Sequence, residues 1–380
     1  MTIHWCGTGL SAVPGLRKLI EAGNPVTVWN RTLDKAQAAV GDITDNIRAF
    51  DPGALREALA PGDVVVSMLP GDWHVPIAEA AIAKGAHFVS SSYISPEMRA
   101  LDAAAKEAGV ALVNEVGLDP GIDHLMAHKL MADYRASDAF DPANTLSFLS
   151  YCGGVPKQAN DFRYKFSWSP LGVLKALKSP SRSIRDFEEL RAERPWDALG
   201  SYTAPLPAPE TFEVYPNRDS LPFMAEYGFD PQWPVKDFVR GTLRLEGWSD
   251  AWADIFRTVE SLPPGDEGEQ VLRDLSERLW QEHAYDPGEP DRVVLCVSLE
   301  ATREGAPVWH RTYVMDAWGD EQGTAMGRLV SYMVAKAVEA VRDGRIAPGV
   351  SAAPSDPALV EDWMAEVGRL AQHLEIVRHA

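Results

Sequence analysis

The sequence is poor in cysteine. Only Cys6, Cys152 and Cys296 occur among 380 residues, far apart and odd in number. Neither a disulfide framework nor a metal-ligand spacing can be built from them, so a reduced, cytoplasmic setting is expected and no metal is predicted. Long apolar runs are missing too: none approaches the roughly 18 residues of a membrane-span candidate. Positive charge is scarce, with 36 Lys and Arg against 55 Asp and Glu and a formal net charge of −19. That balance excludes broad nucleic-acid or anionic-membrane binding, which needs a basic surface. A small anionic ligand stays open, because it needs only a few local Arg or Lys. Strand-like residues begin at Thr2, so no signal peptide is expected. Internal repeats and low-complexity tracts are absent as well.

What remains is an ordinary globular chain, 46% hydrophobic and 24% charged. At roughly 150 residues per domain its length suggests two or three domains. Its organising stretch is Asn114-Glu115-Val116-Gly117-Leu118-Asp119-Pro120-Gly121-Ile122-Asp123-His124. Upstream, short apolar strands alternate with helical patterns; downstream, aromatic and Pro-rich strand and loop sequence takes over. Polar residues just past the carboxyl end of a strand in an open α/β sheet lie where ligands bind. The blander reading is a helix start, with Asp119 or Asp123 as N-cap and Pro120 in the first turn. Both hold together, since a helix N-terminus also receives charged groups.

Thr2 to Cys6 reads as a first strand and runs into Gly7-Thr8-Gly9-Leu10-Ser11-Ala12, a G-x-G-x-x-A, followed by a helix over 13–22 and a second strand, Pro25 to Trp29. Gly7 permits a tight turn, Gly9 lets the backbone approach a pyrophosphate, and Ala12 lets the helix pack on the strand. Between a strand and a helix the motif predicts a dinucleotide site. The second strand ends in Asn30-Arg31-Thr32 where NAD enzymes usually carry an acid. A guanidinium suits a 2′-phosphate, so NADP(H) is the predicted cofactor. Strands then recur at 47–49, 63–68, 86–89 and 110–113. Six strands with helical crossovers predict a doubly wound parallel sheet whose rim gathers Gly9, Arg31, Leu69, Tyr93 and Asp119 around one crevice.

The predicted fold class is α/β: an N-terminal Rossmann domain over 1–124, a mixed α+β substrate domain over 125–315 with a helical insertion near 250–282, and C-terminal helices over 316–380, partly returning to the cofactor domain. Ser201 to Pro209 reads as a Pro-rich loop and Val214 to Ser220 as an exposed turn bearing Arg218. Residues 292–301 and 308–315 predict a hairpin. Gly323 to Arg342 carries an amphipathic helical stripe, and a last helix is expected from Pro357 to about Ile376. Core packing is the default for the last stripe, with a homodimer interface as the alternative.

Several motifs together resemble one family. They are Ser91-Ser92-Tyr93-Ile94-Ser95-Pro96, the Asn114 to His124 stretch, Ser147 to Gly154, Lys165-Phe166-Ser167-Trp168-Ser169, Tyr215-Pro216-Asn217-Arg218-Asp219-Ser220 and Arg240-Gly241-Thr242-Leu243-Arg244. Across roughly residues 1–250 the chain resembles the saccharopine reductase family, the glutamate-forming, NADP-dependent saccharopine dehydrogenases. The resemblance implies cofactor contacts at Gly9, Leu10, Ser11, Ala12, Asn30, Arg31, Thr32, Ser92, Tyr93, Leu118, Asp119, Pro120 and Ser169; Gly7 and Leu69 join them from the motif and the rim. It implies substrate contacts at Tyr93, Ile94, Arg218, Thr242, Leu243 and Arg244, and a reaction centre lined by Tyr93, Asp119 and Cys152.

The reaction so implied condenses 2-aminoadipate 6-semialdehyde with the amine of L-glutamate, and NADPH delivers hydride to the imine carbon to give saccharopine. Arg218 and Arg244 would each grip a carboxylate, and Asp119 and Tyr93 would stabilise an iminium or move protons. Cys152 reads as pocket lining before catalyst, and His124 as a helix-turn residue or a site residue. The expected partners are these amino-acid substrates, with no nucleic acid and no membrane. Two alternatives stay open: an imine reductase of the carboxynorspermidine type, and a catalytically silent NADP-binding regulator.

Overall fold

Six short apolar runs become the strands β1 (Ile3–Cys6), β2 (Val26–Asn30), β3 (Ile47–Ala49), β4 (Val64–Ser67), β5 (His87–Ser90) and β6 (Ala111–Val113). The computed structural model describes residues 1–380. The chain divides into two units, Met1–Leu125 with Met326–Val367, and Met126–Ala325 with Gly368–Ala380.

In the first unit every strand pairing is parallel. Trp5, Val28, Val65, Phe88 and Leu112 are fully buried, as expected of a sheet covered on both faces. The strand order reads β3-β2-β1-β4-β5-β6, so the winding reverses between β1 and β4. Ligands bind outside the carboxyl ends of the strands at that reversal. A seventh strand joins beyond β6; it comes from Gly349–Ser351, three residues too short to announce themselves in the sequence.

The helix Ala325–Arg342 buries Met326, Val330, Met333, Val334, Ala337 and Val341, the stripe its spacing predicts, and Leu329 besides. The Ser331 hydroxyl accepts from the Gly15 amide at 2.7 Å, and a Cβ on Gly15 would lie 2.0 Å from the Ser331 carbonyl oxygen. The helix Val13–Glu21 therefore meets this C-terminal helix backbone to backbone, which only glycine allows here. Lys18 adds an ion pair to Glu366 at 2.8 Å on the next helix, Pro357–Leu370.

The second unit holds a mixed sheet built from β7 (Thr145–Pro156), β8 (Ser181–Arg185), β9 (Glu188–Ala192), β10 (Gly200–Ala204), β11 (Glu210–Pro216), β12 (Val235–Leu245), β13 (Asp291–Arg303) and β14 (Ala306–Trp318). Counting the Gly349–Ser351 strand as β15, the last is β16 (His373–Arg378). The order is β10-β11-β12-β7-β13-β14-β16, with the β8–β9 hairpin branching from β12. Only β12 and β7 run parallel; their neighbours are antiparallel. Tyr151, Val239, Leu243, Cys296 and Val314 form a core on one face. A second core of Tyr164, Phe166, Tyr215, Trp248, Trp252 and Phe256 gathers around helices at 248–251, 253–260 and 266–283.

Three expectations for this unit are corrected. Residues 201–209 are not one loop, and Val214 to Pro216 are not an exposed turn: β10 and β11 occupy 200–204 and 210–216 and pair antiparallel, leaving only the residues between them as connection. The prolines at 205, 207 and 209 sit between the strands, while Phe212 and Val214 alternate inward. The last helix stops at Leu370 rather than Ile376, and β16 pairs with β14, Leu374 opposite Met315 and Ile376 opposite Tyr313. Leu374 lies four residues past Leu370 and so continues the helical spacing, but the Leu-x-Ile alternation at 374–376 is what the fold uses.

Candidate active site

The glycine motif forms the turn its residues require. Gly7 sits at φ +104°, and a Cβ there would come within 2.8 Å of the Met68 carbonyl and 3.3 Å of the Leu69 side chain. Leu69 is thus a wall beside the loop. A Cβ on Gly9 would meet nothing within 4 Å, so open space lies above it. Leu10 is 47% exposed although apolar, Ser11 is half-buried, and Ala12 is buried where the helix begins. That helix start has no side-chain cap, and the Thr8 hydroxyl is buried without a partner. An open cradle, an uncapped helix start and an orphaned hydroxyl fit a phosphorylated ligand.

At the end of β2, Asn30 ties the neighbouring loops together: Oδ1 accepts from the Thr8 amide at 3.2 Å and Nδ2 donates to the Thr32 carbonyl at 2.8 Å. Arg31 and Thr32 are left exposed, and no acid stands among residues 30–32.

The organising stretch turns beside the ends of β5 and β6. The Tyr93 hydroxyl donates to Asp119 Oδ1 at 3.0 Å. Gly117 and Gly121 close so tightly that a Cβ on Gly121 would lie 2.1 Å from the Gly117 oxygen, which leaves Leu118, Asp119 and Pro120 as the loop between them. Glu115 is buried with φ +55°, a conformation L side chains rarely hold. Its Oε1 accepts from the Ile94 amide at 2.8 Å and its Oε2 meets His124 Nε2 at 3.0 Å. His124 and Asp123 are completely buried, and Asp123 accepts from the Gly121 amide at 2.7 Å. His124 therefore braces the loop from beneath. The sequence reading missed the grip of Glu115 on Ile94, because the two lie 21 residues apart and only the parallel sheet brings them together.

His74 was also missed. Its Nδ1 lies 2.9 Å from the Ser67 hydroxyl at the end of β4, and its Nε2 lies 2.8 Å from the Ser92 hydroxyl after β5. Burial lowers its pKa to about 4, so the ring is neutral at neutral pH.

In the second unit, Cys152 on β7 stands opposite Thr242 on β12. The side chain of Leu243 belongs to the core of the other sheet face, so only its backbone can reach a ligand beside Arg244. Arg244 is 6% exposed. Its guanidinium lies over Tyr164, Trp248 and Tyr215 at 5.0, 5.5 and 5.6 Å, donates to the Leu243 carbonyl at 3.0 Å, and keeps Nε buried without a partner. Within the unit no carboxylate pairs with it. Arg218 is exposed on the turn after β11 at φ +57°. The Ser169 oxygen caps the helix Pro170–Ala176 through the Gly172 amide at 3.1 Å.

Comparison with known proteins decides the family. Residues 3–113 match the saccharopine dehydrogenase NADP binding domain and residues 117–370 the saccharopine dehydrogenase C-terminal domain. The chain belongs to the saccharopine dehydrogenase family. Relatives named saccharopine dehydrogenase (NADP+, L-glutamate-forming) are 31% identical in Saccharomyces cerevisiae and 29% identical in Pyricularia oryzae, each over 95% of both chains. The apo saccharopine dehydrogenase (L-Glu forming) structure from S. cerevisiae superposes with a TM-score of 0.80 at 28% identity over the whole of both chains. A homospermidine synthase from Legionella pneumophila shares the fold, with a TM-score of 0.62 at 9% identity. Membership of the saccharopine dehydrogenase family makes NADP(H) the cofactor, and the open cradle at Gly9 with the uncapped helix start fits it. No helix of the chain is long and apolar enough to cross a membrane.

Proposed function

We propose that this chain interconverts saccharopine with L-glutamate plus 2-aminoadipate 6-semialdehyde, a step of lysine metabolism, with NADP(H) as the hydride carrier. The observation that carries the reading is Arg244. A buried guanidinium with no carboxylate and an idle Nε is costly unless a ligand completes it. Its plane and fork suit a carboxylate, and the three aromatic rings around it hold the plane still. A diamine by itself offers nothing for this group, whereas glutamate, the semialdehyde and saccharopine all carry carboxylates.

The first unit supplies the cofactor side. Gly7, Gly9, Leu10, Ser11 and Ala12 take the pyrophosphate, Arg31 takes the 2′-phosphate with Asn30 and Thr32 shaping its loop, and Leu69, Ser92, Leu118 and Pro120 line the remainder. Bound NADPH supplies the hydride. Ser169 of the second unit adds a hydroxyl whose proton is free of its capping role. Arg244 and Arg218 hold substrate carboxylates, with Thr242 and the Leu243 backbone beside Arg244.

The chemistry needs an amine and an aldehyde to lose water, and the resulting imine to gain a proton and a hydride. Tyr93 and Asp119 form a hydroxyl–carboxylate pair at 3.0 Å. Such a pair steadies the positive charge of an iminium and carries the proton that carbinolamine breakdown consumes. Ile94 and Tyr93 are kept in place by the Glu115 grip on the Ile94 amide. Cys152 serves as pocket lining.

The test is an NADPH-oxidation assay with the semialdehyde and either L-glutamate or putrescine-like diamines. Oxidation with glutamate alone supports the reading. Oxidation with diamines but not glutamate, or none with either, overturns it.

A further inference from the structure

The ring of His74 joins two strand ends. Ser67 closes β4 and is 1% exposed, and its hydroxyl has no partner except His74 Nδ1. Ser92 follows β5, and its hydroxyl has no partner except His74 Nε2. A neutral imidazole donates from one nitrogen and accepts at the other. These facts fix which is which. If Nδ1 carried the proton, the Ser67 hydroxyl hydrogen would be buried with no acceptor, which is costly. Ser67 therefore donates to Nδ1, and Nε2–H donates to Ser92. The Ser92 oxygen is then occupied as an acceptor, and its own hydrogen is left to point away from His74 as a donor.

The sheet says what meets that donor. In a doubly wound sheet a dinucleotide straddles the point where the strand order reverses, and here that point lies between β1 and β4. With its adenosine half at the β2 end, where Arg31 lies, the nicotinamide half falls on the β4–β5 side, where Ser67 and Ser92 lie. We infer that His74 is a positioning residue that fixes the Ser92 hydroxyl as a hydrogen-bond donor to the carboxamide oxygen of the nicotinamide ring. The inference rests on the NADP(H) reading above. It gives the ring a fixed orientation against the imine without placing His74 itself in contact with the reacting atoms. A neutral ring is required, because a doubly protonated imidazole would donate from both nitrogens and strip the Ser67 hydrogen of its acceptor. Burial keeps it neutral.

Two amide substitutions separate the two ends of the ring. A glutamine amide reaches the Nε2 position and can still donate to Ser92; an asparagine amide reaches only the Nδ1 position and serves Ser67. Calorimetric titrations of the purified full chain are made with NADPH and with adenosine 2′,5′-bisphosphate, which lacks the nicotinamide. His74→Asn and Ser92→Ala are expected to weaken NADPH about tenfold, the loss of one good hydrogen bond of about 1.4 kcal/mol, and to leave the bisphosphate unchanged. His74→Gln is expected to stay within about threefold of wild type for both. The unchanged bisphosphate affinity also reports an intact fold. Nitrogen-15 shifts of the His74 ring are expected to show the Nε2–H tautomer. Equal NADPH affinity in wild type and His74→Asn, a larger loss with Gln than with Asn, or an Nδ1–H tautomer overturns the inference. Failure of wild type to bind either ligand would instead overturn the NADP(H) reading.

Discussion

Arg244 and Glu213 are register partners on the antiparallel strands β12 and β11, yet they do not pair. The Glu213 carboxylate is turned to the helix that follows, accepting from the amides of Gly247 and Ser249 at 2.9 and 2.8 Å and from the Ser249 hydroxyl at 3.2 Å. The sheet thus brings a carboxylate to the guanidinium and then commits it elsewhere. Opposite charges directly across a strand pair ordinarily attract, so the arrangement keeps Arg244 available at a cost to the resting fold.

That cost has a signature. Arg244→Met keeps an unbranched apolar stem among Tyr164, Tyr215 and Trp248 but removes the unpaired charge. Replacing a buried ion by an apolar residue of similar volume is often neutral or stabilising. The melting temperature of the ligand-free variant is expected to equal or exceed wild type, while KM for glutamate or saccharopine rises by the equivalent of about 2–5 kcal/mol. A large fall in melting temperature, or a KM change under about threefold, would show that Arg244 is structural.

Arg31 offers the matching test on the cofactor side. Arg31→Ala is expected to weaken NADPH roughly tenfold and to leave NADH unchanged, read by titration of both nucleotides. Because the side chain is exposed, the NADPH preference of wild type should also shrink as salt rises. Equal losses for the two nucleotides would remove the 2′-phosphate role.

The C-terminal helix contact tests the first unit's construction. A methyl on Gly15 would press into the Ser331 backbone carbonyl, 2.0 Å away, and not into a side chain that can swing aside. Gly15→Ala should cost about 1–3 kcal/mol in denaturant unfolding, even though alanine favours helices more than glycine does. Ser331→Ala in the same chain should not restore it, since the carbonyl remains. A neutral or stabilised Gly15→Ala would mean that the two helices separate freely.

These residues also show where reading the sequence ends. Gly7, Gly9 and Ala12 were legible because their chemistry is local: a turn, an approach and a packing contact within six residues. The strands β1 to β6 were legible because parallel strands buried on both faces are continuous apolar runs. Arg244 was legible as a candidate through its motif, but not the reason it stands alone, which needs the β11 register and the Glu213 cap. Ser67 and Ser92 lie seven and 18 residues from His74, and nothing in either spacing marks a shared hydrogen-bond chain. β16 was misread because Leu374 satisfies two periods at once; the pairing with β14 decides between them.

The neutral state of His74 sets a pH dependence whose sign can be worked out. Burial lowers its pKa from 6.5 to about 4, with Asp72 the one charged group acting against that shift. Between those values the unfolded chain binds a proton that the folded chain refuses, so stability rises with pH across the window. The contribution is fully present above pH 6.5 and is lost as pH falls toward 4, with a slope of up to about 1.4 kcal/mol per pH unit. His4 and His87 are lowered by burial as well and add in the same direction, which is why the variant comparison matters. Denaturant unfolding of wild type and His74→Gln from pH 7 to 4 should show a steeper decline in wild type, because glutamine takes up no proton. Parallel curves would mean that folding does not depress the His74 pKa, and the enforced neutral ring on which the donor assigned to Ser92 rests would lose its support.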